Sequence, residues 1–186
     1  FIALANLSLN FEMTTPLLIK KCLFPVAGFG TRFLPITKSI PKEMLPILTK
    51  PLIHYAVEEA LSAGITAMKM VTSKNNKIIQ NYFEPNEELD GLVKGTEKED
   101  FLNEVHYLSN KCEFSYIKQK GMHGLGHAIY EGKPLIGNES FAVILPDDLC
   151  RNDGDSVLSQ MTEIHKNYPD CCVVAIQEVM MKDVHK

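Results

Sequence analysis

The run Leu17 to Ala27, LLIKKCLFPVA, is apolar nearly throughout and breaks at once into Gly28-Phe29-Gly30. A strand with one wet face alternates apolar and polar residues, so a run this continuous belongs in the middle of a parallel sheet covered on both faces. The rest of the chain supplies what such a sheet needs. Leu52, Ile53, Ala56, Val57, Ala60 and Leu61 recur at helical spacing between Pro51, suited to a first turn, and Gly64, suited to a C-terminal cap. A helix is therefore predicted from Pro51 to Ala63. Short apolar runs predict strands at Ala67 to Thr72, Glu113 to Gln119, Phe141 to Leu145 and Cys171 to Val179, with helices at Asn75 to Phe83, near Glu99 to Leu108, at His127 to Leu135 and at Ser156 to Tyr168. The acid-rich stretch Glu84 to Asp100 carries Gly91 and Gly95 and reads as a solvated excursion. Alternating strands and helices define an α/β, doubly wound, mostly parallel sheet with helices on both faces, a Rossmann-like arrangement. In such sheets ligands bind at the carboxyl ends of the strands. The loop after the first strand and Asp147-Asp148 after a later one should meet there.

With 186 residues, 45% apolar and 23% charged, the chain can build one real core and is too apolar for disorder. No apolar run is long enough to span a membrane, so no membrane partner is expected. A formal charge of -4 and two arginines, Arg32 and Arg151, argue against a surface for duplex nucleic acid. The cysteines at 22, 112, 150, 171 and 172 show no C-x-x-C spacing, which suits reduced thiols packed as small hydrophobes in a cytoplasmic setting.

Within an acidic chain, Lys20, Lys21, Arg32, Lys38, Lys42 and Lys50 face the single acid Glu43 across one segment. A glycine turn after a buried strand lets backbone N–H groups approach a phosphate, and Arg32 and Lys42 add fixed positive charge. This is a candidate triphosphate cradle. It is not a Walker A loop, which needs Lys-Ser/Thr after its second glycine, and Phe33 stands where G-x-G-x-x-G would place its third glycine. His123 and His127 are four apart, but Gly124 and Gly126 argue against a helical metal pair, and no metal role is assigned to them.

The run FPVAGFGTRFLPITKSIPKEMLPILTKPLIHYAVEEA resembles the signature of bacterial UTP–glucose-1-phosphate uridylyltransferases, within the sugar nucleotidyltransferases. Gln119 to Ala128, QKGMHGLGHA, and Phe141 to Asp148, FAVILPDD, resemble the second and third blocks in order. The resemblance implies transfer of UMP from UTP to glucose 1-phosphate, giving UDP-glucose and pyrophosphate. It places Arg32 and Lys42 on the phosphates, with Ala27, Gly28, Gly30, Thr31 and Glu43 around the nucleotide. Gln119 and the Gly124 backbone would read the uracil edge, and Asp147 would bind Mg²⁺. The sugar phosphate is itself the nucleophile and is mostly ionised near neutrality, with a second pKa of roughly 6, so no general base is needed. A related thymidylyltransferase and a non-catalytic nucleotide-binding module are the alternatives. The chain departs from the pattern at Leu48-Thr49-Lys50 and at His54.

Met13-Thr14-Thr15 reads as a natural start, which makes residues 1–12 an expected extraneous leader and 13–186 the N-terminal part of a single nucleotidyltransferase domain. Ala3-Leu4-Ala5 lacks the basic flank of a secretory signal. The resembled family continues past this point into the segment that grips the sugar. A homo-oligomer is expected for the full-length protein.

Overall fold

The computed structural model describes residues 2–5, 19–73, 77–151 and 153–180. Leu17, Leu18, Asn75, Met181 and the Met13 start lie outside the described residues. The elements run β1 (Ile2–Ala5), β2 (Lys21–Val26), β3 (Pro46–Ile47), β4 (Lys50–Pro51), α1 (Leu52–Ser62), β5 (Ala67–Thr72), α2 (Ile78–Phe83), α3 (Glu87–Val93), α4 (Glu99–Lys111), β6 (Glu113–Lys118), α5 (Leu125–Glu131), α6 (Lys133–Ile136), β7 (Phe141–Ile144), α7 (Val157–Asn167) and β8 (Val173–Val174). Three 3-10 turns, Thr31–Phe33, Ile36–Lys38 and Lys42–Met44, fill the stretch after β2.

Among the described residues the main sheet has the order β6-β5-β2-β7-β1-β8. Four consecutive strands from one edge, β6-β5-β2-β7, are parallel, with Lys21–Val26 matched to Ala67–Thr72 and these in turn to Glu113–Lys118. β1 and β8 add antiparallel strands beyond β7. The order reverses at β2: the chain first moves toward β5 and β6, then returns to lay β7 on β2's other side.

Successive side chains of a strand face opposite ways, and the two cores follow that rule. Cys22, Phe24 and Val26 of β2, Met68 and Met70 of β5, and Ala142 and Ile144 of β7 bury beneath α1, α2, α4 and α7. Leu23, Val71, Phe141 and Val143 point the other way and are covered by Ile129 of α5 and Ile136 of α6. This second layer is thin and relies on polar ties: Lys21 donates to Ile136 O at 2.8 Å, and buried Lys69 donates to Glu113 Oε1 and Ser115 Oγ, each at 2.9 Å. Gly132 lets α5 sit on β2, since a Cβ there would lie 2.5 Å from Leu23 Cδ1.

The prediction for Ala67–Thr72 holds to the residue, and that for Pro51 to Ala63 holds with Pro51 as the cap before α1 and Gly64 at φ 78° after it. The run Cys171 to Val179 does not. Only Val173–Val174 pairs, because β8 has one neighbour, β1, and the residues beyond find no partner strand among the described residues. The acid-rich excursion contains a helix that composition concealed: Asn86 Oδ1 accepts from Leu89 N at 3.2 Å and caps α3. Three of the five cysteines, 150, 171 and 172, are exposed rather than packed; Cys22 and Cys112 are buried and all five are free.

Lys50, which follows Leu48-Thr49, and His54 meet in one network. Lys50 donates to Glu58 and Glu104, each at 2.9 Å, and Glu58 lies 3.2 Å from buried His54. His54 Nδ1 in turn sits 2.8 Å from the Tyr82 hydroxyl. The His54 hydrogen bond holds the Glu58 carboxyl below its ordinary range, against the upward push of burial and with help from Lys50.

Candidate active site

β2 ends at Val26, buried Ala27 follows, and Gly28 to Gly30 turn the chain outward at the sheet's carboxyl edge. Gly30 has φ 59°, and a Cβ there would stand 3.0 Å from Lys42 Cβ and 3.1 Å from Thr37 Cγ2, so conformation and space both call for glycine. Its carbonyl accepts from Thr37 Oγ1 at 2.8 Å and from Phe33 N at 2.9 Å. The returning 3-10 turn carries Lys42 and Glu43 back beneath the glycines.

β7 ends at Ile144, and Asp148 N donates to Leu145 O at 3.0 Å, closing a turn. Strand alternation therefore stops before the two aspartates, and the turn sets them apart: Asp148 is exposed and Asp147 is half-buried toward the glycine loop. Lys42 Nζ donates to Asp147 Oδ2 at 2.7 Å, and Arg32 lies 4.0 Å from the same oxygen. The loops after β2 and β7 thus meet where the strand order reverses, the crevice at which open α/β sheets bind ligands. Burial works to raise the Asp147 pKa, but the Lys42 hydrogen bond and charge, with Arg32, hold it below the ordinary carboxylate value.

Glu43 is fully buried, and neither of its carboxylate oxygens has a hydrogen-bond partner among the described residues. Burial pushes its pKa up to about 7 against the pull of its own backbone N–H and the Lys42 ammonium 4.0 Å away, with the Asp147 charge adding to the rise. An orphaned buried carboxyl beside a lysine is a strained arrangement to keep without a ligand.

At the end of β6, Gln119 is buried and its Nε2 donates to Gly121 O at 2.7 Å, while His127 Nδ1 lies 3.4 Å from the same nitrogen. Gly124 has φ 90° and caps α5, which starts at Leu125, two residues before the helix expected from the glycine pattern; Gly126 and His127 are inside it. The structure thus joins Arg32, Lys42, Glu43 and Asp147 at one crevice, with Ala27, Gly28, Gly30 and Thr31 on its loop. Gln119 and Gly124 lie on the neighbouring loop after β6. Missed from the sequence were His127, against Gln119, and Glu131, whose Oε1 is 3.5 Å from His127 Nε2. Their i, i+4 spacing is a readable signal once α5 is known to begin at Leu125.

The chain that builds this sheet and crevice falls in a known class: the nucleotidyl transferase family model matches residues 25–185, and the chain belongs to that family. Among curated relatives, it is 51% identical over 170 residues to the UTP–glucose-1-phosphate uridylyltransferase of Pseudomonas aeruginosa, covering 91% of this chain and 61% of that protein. A crystal structure of apo UDP-glucose pyrophosphorylase superposes with a TM-score of 0.78 at 57% identity, over 81% of this chain and 56% of the other. A UDP-glucose pyrophosphorylase complexed with UDP-glucose gives 0.73 at 56% identity, over 81% and 55%. The chain therefore spans less than two thirds of the length of these relatives.

Proposed function

We propose that this chain forms the nucleotide-binding part of a UTP–glucose-1-phosphate uridylyltransferase, which transfers UMP from UTP to glucose 1-phosphate and releases pyrophosphate. The observation that carries the reading is the Lys42–Asp147 pair, 2.7 Å apart at the β2/β7 switch point beneath a glycine loop. The names of the relatives supply the substrates. Lys42 and Arg32 would neutralise phosphate oxygens, Gly28 and Gly30 would let backbone approach them, and Gln119 with Gly124 would face the base. Arg32, with 82% of its side chain exposed, is free to swing onto a ligand. Positioning and charge neutralisation then suffice for in-line attack by an already ionised sugar phosphate.

A divalent cation fits the residues present. Among the described residues no group of three or more His, Cys, Asp or Glu is arranged to hold a metal. One ionised carboxylate at a strand end suits Mg²⁺, which keeps water and substrate oxygens as most of its ligands. Asp147 would hold it, and the ion would supply charge stabilisation at the phosphates. Among the described residues no helix is long and apolar enough to cross a membrane; the five free cysteines support a cytoplasmic location, and a homo-oligomer belongs to the same reading.

The test is pyrophosphate release from UTP and glucose 1-phosphate by the protein carrying this chain together with its sugar-gripping part. Turnover should require a divalent cation and fall by on the order of 10²-fold or more in Lys42→Ala, the effect of one charge-assisted contact in a dry site. Equal rates in excess chelator, or wild-type turnover in the folded variant, would remove the assignment.

A further inference from the structure

A carboxamide has two N–H donors on one end and an acceptor oxygen on the other, and the two ends are told apart by their partners. A carbonyl can only accept, so the Gln119 atom 2.7 Å from Gly121 O is the nitrogen. The second N–H of that nitrogen points to His127 Nδ1 at 3.4 Å. Both donors are then engaged within the protein, and Oε1 is what Gln119 can offer a ligand. That differs from a side chain presenting donor and acceptor together to an imide edge.

His127 can accept at Nδ1 only if its proton sits on Nε2, and Glu131 Oε1 lies 3.5 Å from Nε2, one turn further along α5. The ring is also fixed from the side. His123 packs edge-on against it with centroids 4.8 Å apart, in a place that a Cβ at residue 121 would crowd, 2.6 Å from His123 Nε2. Glu131, His127 and Gln119 thus form a chain in which each group fixes the proton of the next.

We propose that His127 is a positioning residue that sets which way round the Gln119 carboxamide faces, and thereby makes Gln119 an acceptor toward the base. This rests on reading Gln119 as the base-facing side chain. An acceptor there matches the N3–H of uracil, whereas cytosine presents its own N3 lone pair and the two acceptors oppose each other. Without His127 the amide keeps one anchor, Gly121 O, and its preference for a single orientation weakens.

The experiment is equilibrium binding of UTP and of CTP to this chain and to three variants. His127→Phe keeps a ring without an acceptor and should narrow the UTP-over-CTP ratio by about tenfold, the effect of one hydrogen bond. His127→Asn returns an acceptor near the Nδ1 position and should hold the ratio within about twofold of wild type, on the same hydrogen-bond account. Gln119→Leu tests the underlying reading. If Gln119→Leu flattens the ratio and His127→Phe does not, the positioning role is wrong and base reading by Gln119 stands. If neither flattens it, the Gln119 reading falls and takes this proposal with it. An Asn variant as unselective as the Phe variant would also overturn the acceptor role. Should the Phe variant fail to fold, long-range ¹⁵N correlation on the wild type decides: a bare Nδ1 and a protonated Nε2 are expected, and a protonated Nδ1 would overturn the proposal.

Discussion

Glu43 has uncomfortable surroundings, buried without a hydrogen-bond partner among the described residues, and burial pushes its pKa from 4.5 up to about 7. Its linkage runs opposite to that of a paired surface acid. Between pH 4.5 and about 7 the folded chain binds this proton more tightly than the unfolded chain, so the stabilising contribution is full at low pH and is lost as pH rises to about 7. The size of the loss is about 3 kcal/mol. Asp147, held low, acts in the other direction and in a more acidic window, below its ordinary 3.8. Glu43→Gln should therefore gain stability over wild type by about 3 kcal/mol more at pH 8 than at pH 4.5, read from urea unfolding curves. An equal difference at both pH values would show that the carboxyl is ionised and paired in solution. The motif around Glu43 was legible in the sequence, as were Arg32, Lys42 and Asp147. The orphaned state of its oxygens was not, because burial at a turn between two prolines is set by what packs over it.

The β3–β4 hairpin turns through Leu48 and Thr49, and Leu48 takes φ 57° with 92% of its surface exposed. A branched apolar side chain gains nothing from packing there and bears the left-handed backbone, a conformation that costs about 1–2 kcal/mol for most residues and less for Asn. Leu48→Asn should stabilise the chain by about 0.5–1 kcal/mol, seen as a higher urea midpoint with an unchanged slope. A lower midpoint would mean that Leu48 has an apolar partner in solution. Elements with two-sided neighbours were the readable ones: β5 lies between β2 and β6 and its bounds follow from its composition. β8 shows the opposite case, since an apolar run says that a strand can form but not how many residues find something to pair with. The start of α5 was missed by two residues for a third reason. Gly124, at φ 90°, turns the chain into the helix, so a glycine read as a breaker acts as an N-cap.

Taken whole, the molecule places its basic loop and its strand-end acid on adjacent strands, so a nucleotide bound there as proposed would tie β2 to β7. A ligand at a hundred times its dissociation constant stabilises the fold by about 2.7 kcal/mol, which for a chain of this size is roughly 5–10 °C in Tm. UTP with Mg²⁺ should raise the melting temperature by that amount, and no shift at any concentration would exclude a UTP site. The sheet class was legible from alternation alone and the meeting of the two loops from the switch-point rule. The ties between loops, Lys42 to Asp147 and Gln119 to His127, needed the assembled backbone. That assembly has a kinetic side. Lys42 and Asp147 are 105 positions apart in the chain, and they meet only through parallel pairing of β2 with β7, a contact whose loop must close before it returns any free energy. Ligand affinity therefore cannot accumulate gradually during refolding. It should emerge in a single late phase, after α1 and β5 have formed, and UTP added to the refolding chain should slow its unfolding limb while leaving the earliest collapse untouched.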